Sequence, residues 1–89
     1  MKYVYAALFS VCEEGGYAVR FPDLPGTNIQ GEDLYEALYL AEVALGEWLA
    51  YLTDKKMDIP SATAIKNIKV EAGQFASLIR AELAENAVT

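Results

Sequence analysis

Phe21-Pro22-Asp23-Leu24-Pro25-Gly26, followed by Gln30-Gly31 and a long apolar stretch, decides how this chain folds. Pro22 and Pro25 fix φ and offer no amide donor, so neither a strand nor a helix continues through them. Gly26 takes a positive φ without steric cost. The segment is therefore a rigid corner between two different kinds of structure.

A hairpin leads into the corner. Tyr3 to Val11 is aromatic and β-branched and ends at the turn signal Glu14-Gly15-Gly16, which makes it a first strand. Tyr3, Tyr5, Ala7 and Phe9 share one face; Val4, Ala6, Leu8 and Ser10 share the other. Both faces are apolar, so both need cover, one from a helix and one from a partner. Gly15-Gly16 supplies the positive φ of a tight turn. Tyr17 to Phe21 alternates as a second strand, and Thr27 to Gln30 reads as a short third strand ended by Gly31.

A helix leads away from the corner. Asp33 can cap, and Glu36 three residues on completes a capping box. Leu34, Leu38, Ala41, Leu45, Trp48, Leu49 and Leu52 recur at three- and four-residue steps, which predicts a helix from Leu34 to Leu52. Tyr35, Tyr39, Val43 and Tyr51 lie off that stripe, so the apolar arc is wider than one core contact needs. Thr53 to Thr63 reads as a loop, with Pro60 as a stop. Phe75 to Leu83 fits a helical period and an alternating strand equally, and its Ala and Glu content leans to helix.

Eighty-nine residues make one domain, and 54% hydrophobic content is rich for that size. The net charge of −6 disfavours direct nucleic-acid binding, which depends on basic contacts, and favours a basic protein partner. Cys12 is the one cysteine, which fits the reducing cytoplasm. With no histidine, Ser10, Ser61, Ser77 and Cys12 lack the usual activating base. Glu13, Glu14, Asp23, Glu32 and Asp33 are carboxylates near strand ends, but a solvated turn, a corner and a cap account for them better than a metal does. The first strand carries no carboxylate of the kind a metal nuclease needs. No apolar run reaches the roughly 20 residues of a membrane span. Tyr3 and Tyr5 raise an alternative, an RNA-binding module that stacks bases on an aromatic sheet face.

Glu14-Gly15-Gly16-Tyr17, Phe21 to Gly26, Gln30-Gly31-Glu32-Asp33, Glu36-Ala37-Leu38 and Pro60-Ser61 together resemble the HicB-type antitoxin family over residues 3 to 61. Thr27 stands where that family often has Cys, and Ile29 where Thr is common. The resemblance implies an α+β fold of partial ribonuclease-H type: an antiparallel meander, one long helix packed on one face, and a closing strand beside the first. It assigns Phe75 to Leu83 to that closing strand and Ala62 to Val70 to the connection before it. It implies no enzyme activity, no catalytic residue, no metal and no cofactor. The implied role is an antitoxin that occludes a small basic HicA-type RNA-cleaving toxin. Asp23, Glu32, Asp33 and Glu36 are the candidate toxin contacts. Many members carry a C-terminal DNA-binding module; none is expected within this chain. Open strand edges and the wide apolar arc predict a homodimer or a higher even oligomer.

Overall fold

The computed structural model describes residues 2–83. Along the chain its elements are β1 (Lys2–Val11), β2 (Tyr17–Arg20), β3 (Ile29–Gly31), α1 (Leu34–Asp54), a 3₁₀ turn (Ile65–Asn67) and β4 (Gln74–Glu82). The strands form one antiparallel sheet in the order β3-β2-β1-β4. This is the expected α+β architecture. The expectation that no DNA-binding module comes after β4 falls on residues 84–89, outside the described range.

The closing segment is a strand, against its local leaning to helix. It pairs with β1 over an unbroken register from Lys2↔Glu82 to Ser10↔Gln74. Ladder pairing along β1 from Lys2 to Ser10 outweighs the small helix preference of Ala and Glu.

α1 covers the odd-numbered face of β1. Tyr5, Ala7, Phe9, Val19 and Ile79 meet Ala37, Ala41, Leu45 and Leu49 of the helix, with Phe21 and Leu24 from the corner. Phe75 stacks on Phe9 with ring centroids 4.9 Å apart, and Tyr17 meets Phe75 edge-on. The aromatic face proposed for stacking RNA bases is thus the inside of the protein: Tyr5 is 2% exposed and Tyr3 packs against the same core. On the other face Ala6 and Leu8 are buried, whereas Val4 and Leu78 are half exposed.

The corner is two linked turns. The Leu24 amide donates to the Phe21 carbonyl, and the Thr27 amide to that of Leu24. Pro25 and Gly26 (φ +91°) fill the central positions of the second turn, as a type II turn requires. Thr27 then locks the corner: its Oγ1 accepts from the Phe21 amide and donates to the Leu24 carbonyl, each at 3.0 Å. A thiol at that position would make weaker hydrogen bonds.

Gly31 ends β3 from inside the strand. It is the last paired residue, opposite Tyr17. A Cβ there would lie 2.5 Å from the Ala37 amide nitrogen, so only glycine lets the helix start this close to the sheet. Leu34, expected in the core stripe, is 41% exposed; Ala37 is buried in the next turn. The helix also runs two residues past Leu52, to Asp54. Among the described residues, no helix is long and apolar enough to cross a membrane.

Candidate protein-binding surface

The turn between β1 and β2 and the turn between β3 and α1 lie side by side, because Tyr17 pairs with Gly31 across the sheet. Gly16 sits at the seam; with φ at +84°, a Cβ on it would reach within 2.6 Å of the Gly31 carbonyl oxygen. Between the two turns lies a concavity of about 750 Å³. Its walls include Glu13, Glu14, Tyr17, Glu32, Glu36 and Leu40. Carboxylates from two turns distant in the chain therefore share one concave surface.

Two of the expected contact residues also build the helix start. Asp33 is the N-cap, its Oδ1 accepting from the Glu36 amide at 2.8 Å. The Glu36 carboxylate reaches back to the Glu32 amide at 2.6 Å. That is the capping-box exchange moved one residue outward, since the N3 side chain usually returns to the cap residue itself. Both carboxyl groups stay exposed and sit where the helix dipole favours negative charge.

Asp23 is not in this group. Its two carboxylate oxygens accept from the Thr63 amide (2.7 Å) and the Thr63 hydroxyl (2.6 Å). It ties the corner to the connection leading to β4, and the Tyr5 hydroxyl donates to the Pro60 carbonyl in the same connection. Burial, the Asp23 charge and Tyr3 together push the Tyr5 phenol above its ordinary value.

Beside the concavity, α1 presents a row to solvent. Tyr35 is 83% exposed, Tyr39 58% and Val43 39%. Their four-residue spacing puts them in one stripe, with Glu36, Glu42 and Glu47 alongside. On a third side Trp48 stacks on Tyr51 at 5.7 Å, and Lys55 lies over the Tyr51 ring. Cys12 is a free, partly buried thiol at the rim of the concavity. No group of three or more His, Cys, Asp or Glu with metal-binding geometry occurs among the described residues.

A family model for the HicB-like antitoxins of bacterial toxin–antitoxin systems matches residues 5–85. The chain belongs to that family. A HicB-like antitoxin role in a toxin–antitoxin system comes with this membership. Among solved structures, a toxin–antitoxin complex from Streptococcus pneumoniae superposes with a TM-score of 0.85 at 22% identity, over 100% of this chain and 78% of that one. The antitoxin HicB of Burkholderia pseudomallei gives 0.76 at 18% identity, over 86% and 61% of the two chains. A HicA3–HicB3 toxin–antitoxin complex gives 0.72 at 17% identity, over 90% and 99%. At these identities the likeness is one of fold. No curated protein sequence matches the chain.

Of the residues expected from the sequence as contacts, Glu32 and Glu36 line the concavity and Asp33 caps the helix beside it. Sequence reading assigned Glu13 and Glu14 to a solvated turn and so missed that they face the helix start. The signal was available in Gly16 and Gly31, whose closeness joins the two turns, but it is a tertiary signal carried by the pairing of β2 with β3.

Proposed function

We propose that this HicB-like antitoxin binds a small basic HicA-type RNA-cleaving toxin and silences it by covering its active surface. One observation carries the reading: Glu13, Glu14, Glu32 and Glu36 line one concavity next to the exposed Tyr35–Tyr39 stripe. Charge of one sign in a concave site steers a basic partner and selects it. Exposed tyrosines supply the large, low-entropy area that interface hot spots use. Two of the similar folds occur in toxin–antitoxin complexes, which supports a protein partner. Glu32, Asp33 and Glu36 are contacts in this reading, while Asp23 holds the corner that frames the site. The chain performs no chemistry of its own in this role, and its net charge of −6 leaves direct DNA binding out of it.

The test is co-expression with the small basic protein encoded beside it, then titration of the purified pair with an RNA-cleavage readout. Wild type silences the toxin. A Glu13→Lys/Glu14→Lys variant and a Tyr39→Ala variant each raise Kd about tenfold or more, as loss of an interface hot spot does, with circular dichroism unchanged. Equal affinity for wild type and both variants would remove this surface from the interaction. Absence of any complex would remove the toxin reading altogether.

A further inference from the structure

We infer that β4 is the self-association edge of this protein, and that two copies join their sheets antiparallel with Leu78 on the two-fold axis. This rests on the sheet and not on the toxin reading.

β1 is the only strand beside β4, so one side of a nine-residue strand borders no other strand among the described residues. Such an edge templates pairing unless something blocks it. Three usual blocks are absent from Gln74–Glu82, which has no proline or lysine and whose register with β1 runs without a bulge; its charges, Arg80 and Glu82, lie toward one end. The opposite edge differs, since β3 is three residues long and turns directly into the helix.

The strand is also complementary to itself. Leu78 is the midpoint of Gln74–Glu82, so an axis through it pairs every residue of β4. Gln74 then faces the partner's Glu82, an amide opposite a carboxylate. Ala76 faces the partner's Arg80, giving the long side chain a small neighbour. No like charges are opposed. An axis through Arg80 would set two guanidinium groups against each other and leave half of the strand unpaired. Directly opposed residues stand about 5 Å apart at Cβ, so like charges there are destabilising.

Exposure points the same way. Leu78 is 55% exposed on the face away from the helix, and the axis brings the two Leu78 side chains together; Val4, 50% exposed, lies on the same face one strand further back. On the helix face Phe75 is 36% exposed and would stand opposite the partner's Ala81. Ala81 lines an open cleft of about 490 Å³ with Val43, Gly46 and Ala50, so room exists there for the aromatic flank. The occupant is therefore a second copy, in one register.

Sedimentation of the full chain across a concentration series is expected to give twice the 9.8 kDa mass. Leu78→Arg, at an exposed site, is expected to give the monomer mass with unchanged circular dichroism. In a Cys12→Ser background, Leu78→Cys is expected to form a disulfide-linked dimer under mild copper-catalysed air oxidation. Arg80→Cys is not, since its equivalents would lie four residues out of register. A wild type that stays monomeric throughout would overturn the inference. So would a dimer that survives Leu78→Arg, or one in which Arg80→Cys cross-links and Leu78→Cys does not.

Discussion

Tyr5 shows how one residue holds two distant parts of the chain. Its ring fills the core, and its hydroxyl donates to the carbonyl of Pro60, 55 residues away. Burial first, and the negative charge of Asp23 second, keep the phenol protonated in the folded state. The unfolded chain ionises this group near its ordinary value of 10.0. The Tyr5 contribution is therefore complete below about pH 10 and is lost as pH rises through the raised folded-state value, because the unfolded state then holds fewer protons. Urea unfolding measured from pH 7 to pH 11 is expected to show that loss. Tyr5→Phe is expected to cost about 1 kcal/mol at neutral pH for the hydrogen bond and to flatten the alkaline decline. Identical slopes for the two proteins would refute the assignment. Neither this contact nor the Asp23–Thr63 pair was legible in the sequence, since each joins a strand or corner to a loop with no local pattern. Asp23 reads there as a surface acid at a turn; in the fold both of its oxygens face Thr63.

At the scale of elements, the junction between sheet and helix is set by Gly31. A Cβ at this position would meet the backbone of Ala37 at 2.5 and 2.7 Å, and a backbone neighbour cannot swing aside as a side chain can. Gly31→Ala is expected to destabilise the fold by about 1–3 kcal/mol or more, the cost of overpacking a fitted contact. Gly46 is the contrast: it lies inside α1 with open space where a Cβ would go. Gly46→Ala is expected to stabilise the protein by about 1 kcal/mol through helix propensity alone. Paired thermal melts settle both, and a Gly31→Ala protein as stable as wild type would mean that the helix start can shift. The sequence made most of these elements readable because their signals are local: the Gly15-Gly16 turn, the two prolines, the Asp33 cap and the helical period. β4 was not readable from its own residues, since Phe75 to Leu83 satisfies both periods. Its state is decided by β1, and only the resemblance to a family supplied that strand. The acidic concavity was half legible for the same reason: Asp33 and Glu36 cap a helix locally, whereas Glu13 and Glu14 reach it only through the pairing of β2 with β3.

For the whole molecule, the two proposed interfaces lie toward opposite edges of one sheet. The concavity sits where β1 turns into β2 and β3 turns into the helix; the self-pairing edge is β4, beyond β1. They also differ in their electrostatics. Two copies of a chain carrying −6 repel each other, and the neutral centre of β4 has to overcome that repulsion. A basic toxin is attracted by the same field. Salt screens both effects, with a Debye length of about 10 Å at 0.1 M and about 3 Å at 1 M. Raising ionic strength is therefore expected to tighten the self-association and to weaken toxin binding, chiefly through a slower on-rate. Sedimentation of the chain alone and stopped-flow mixing with the toxin, over one salt series, read the two trends separately. Leu78 itself belongs neither to the concavity nor to the tyrosine row, and substitutions that share no contact are expected to be additive within about 0.5 kcal/mol. Leu78→Arg monomers should accordingly bind toxin with a per-chain Kd within about twofold of wild type at any one salt concentration. A tenfold loss on breaking the dimer would show instead that the toxin touches both copies, and would move its docking surface from the concavity toward the axis.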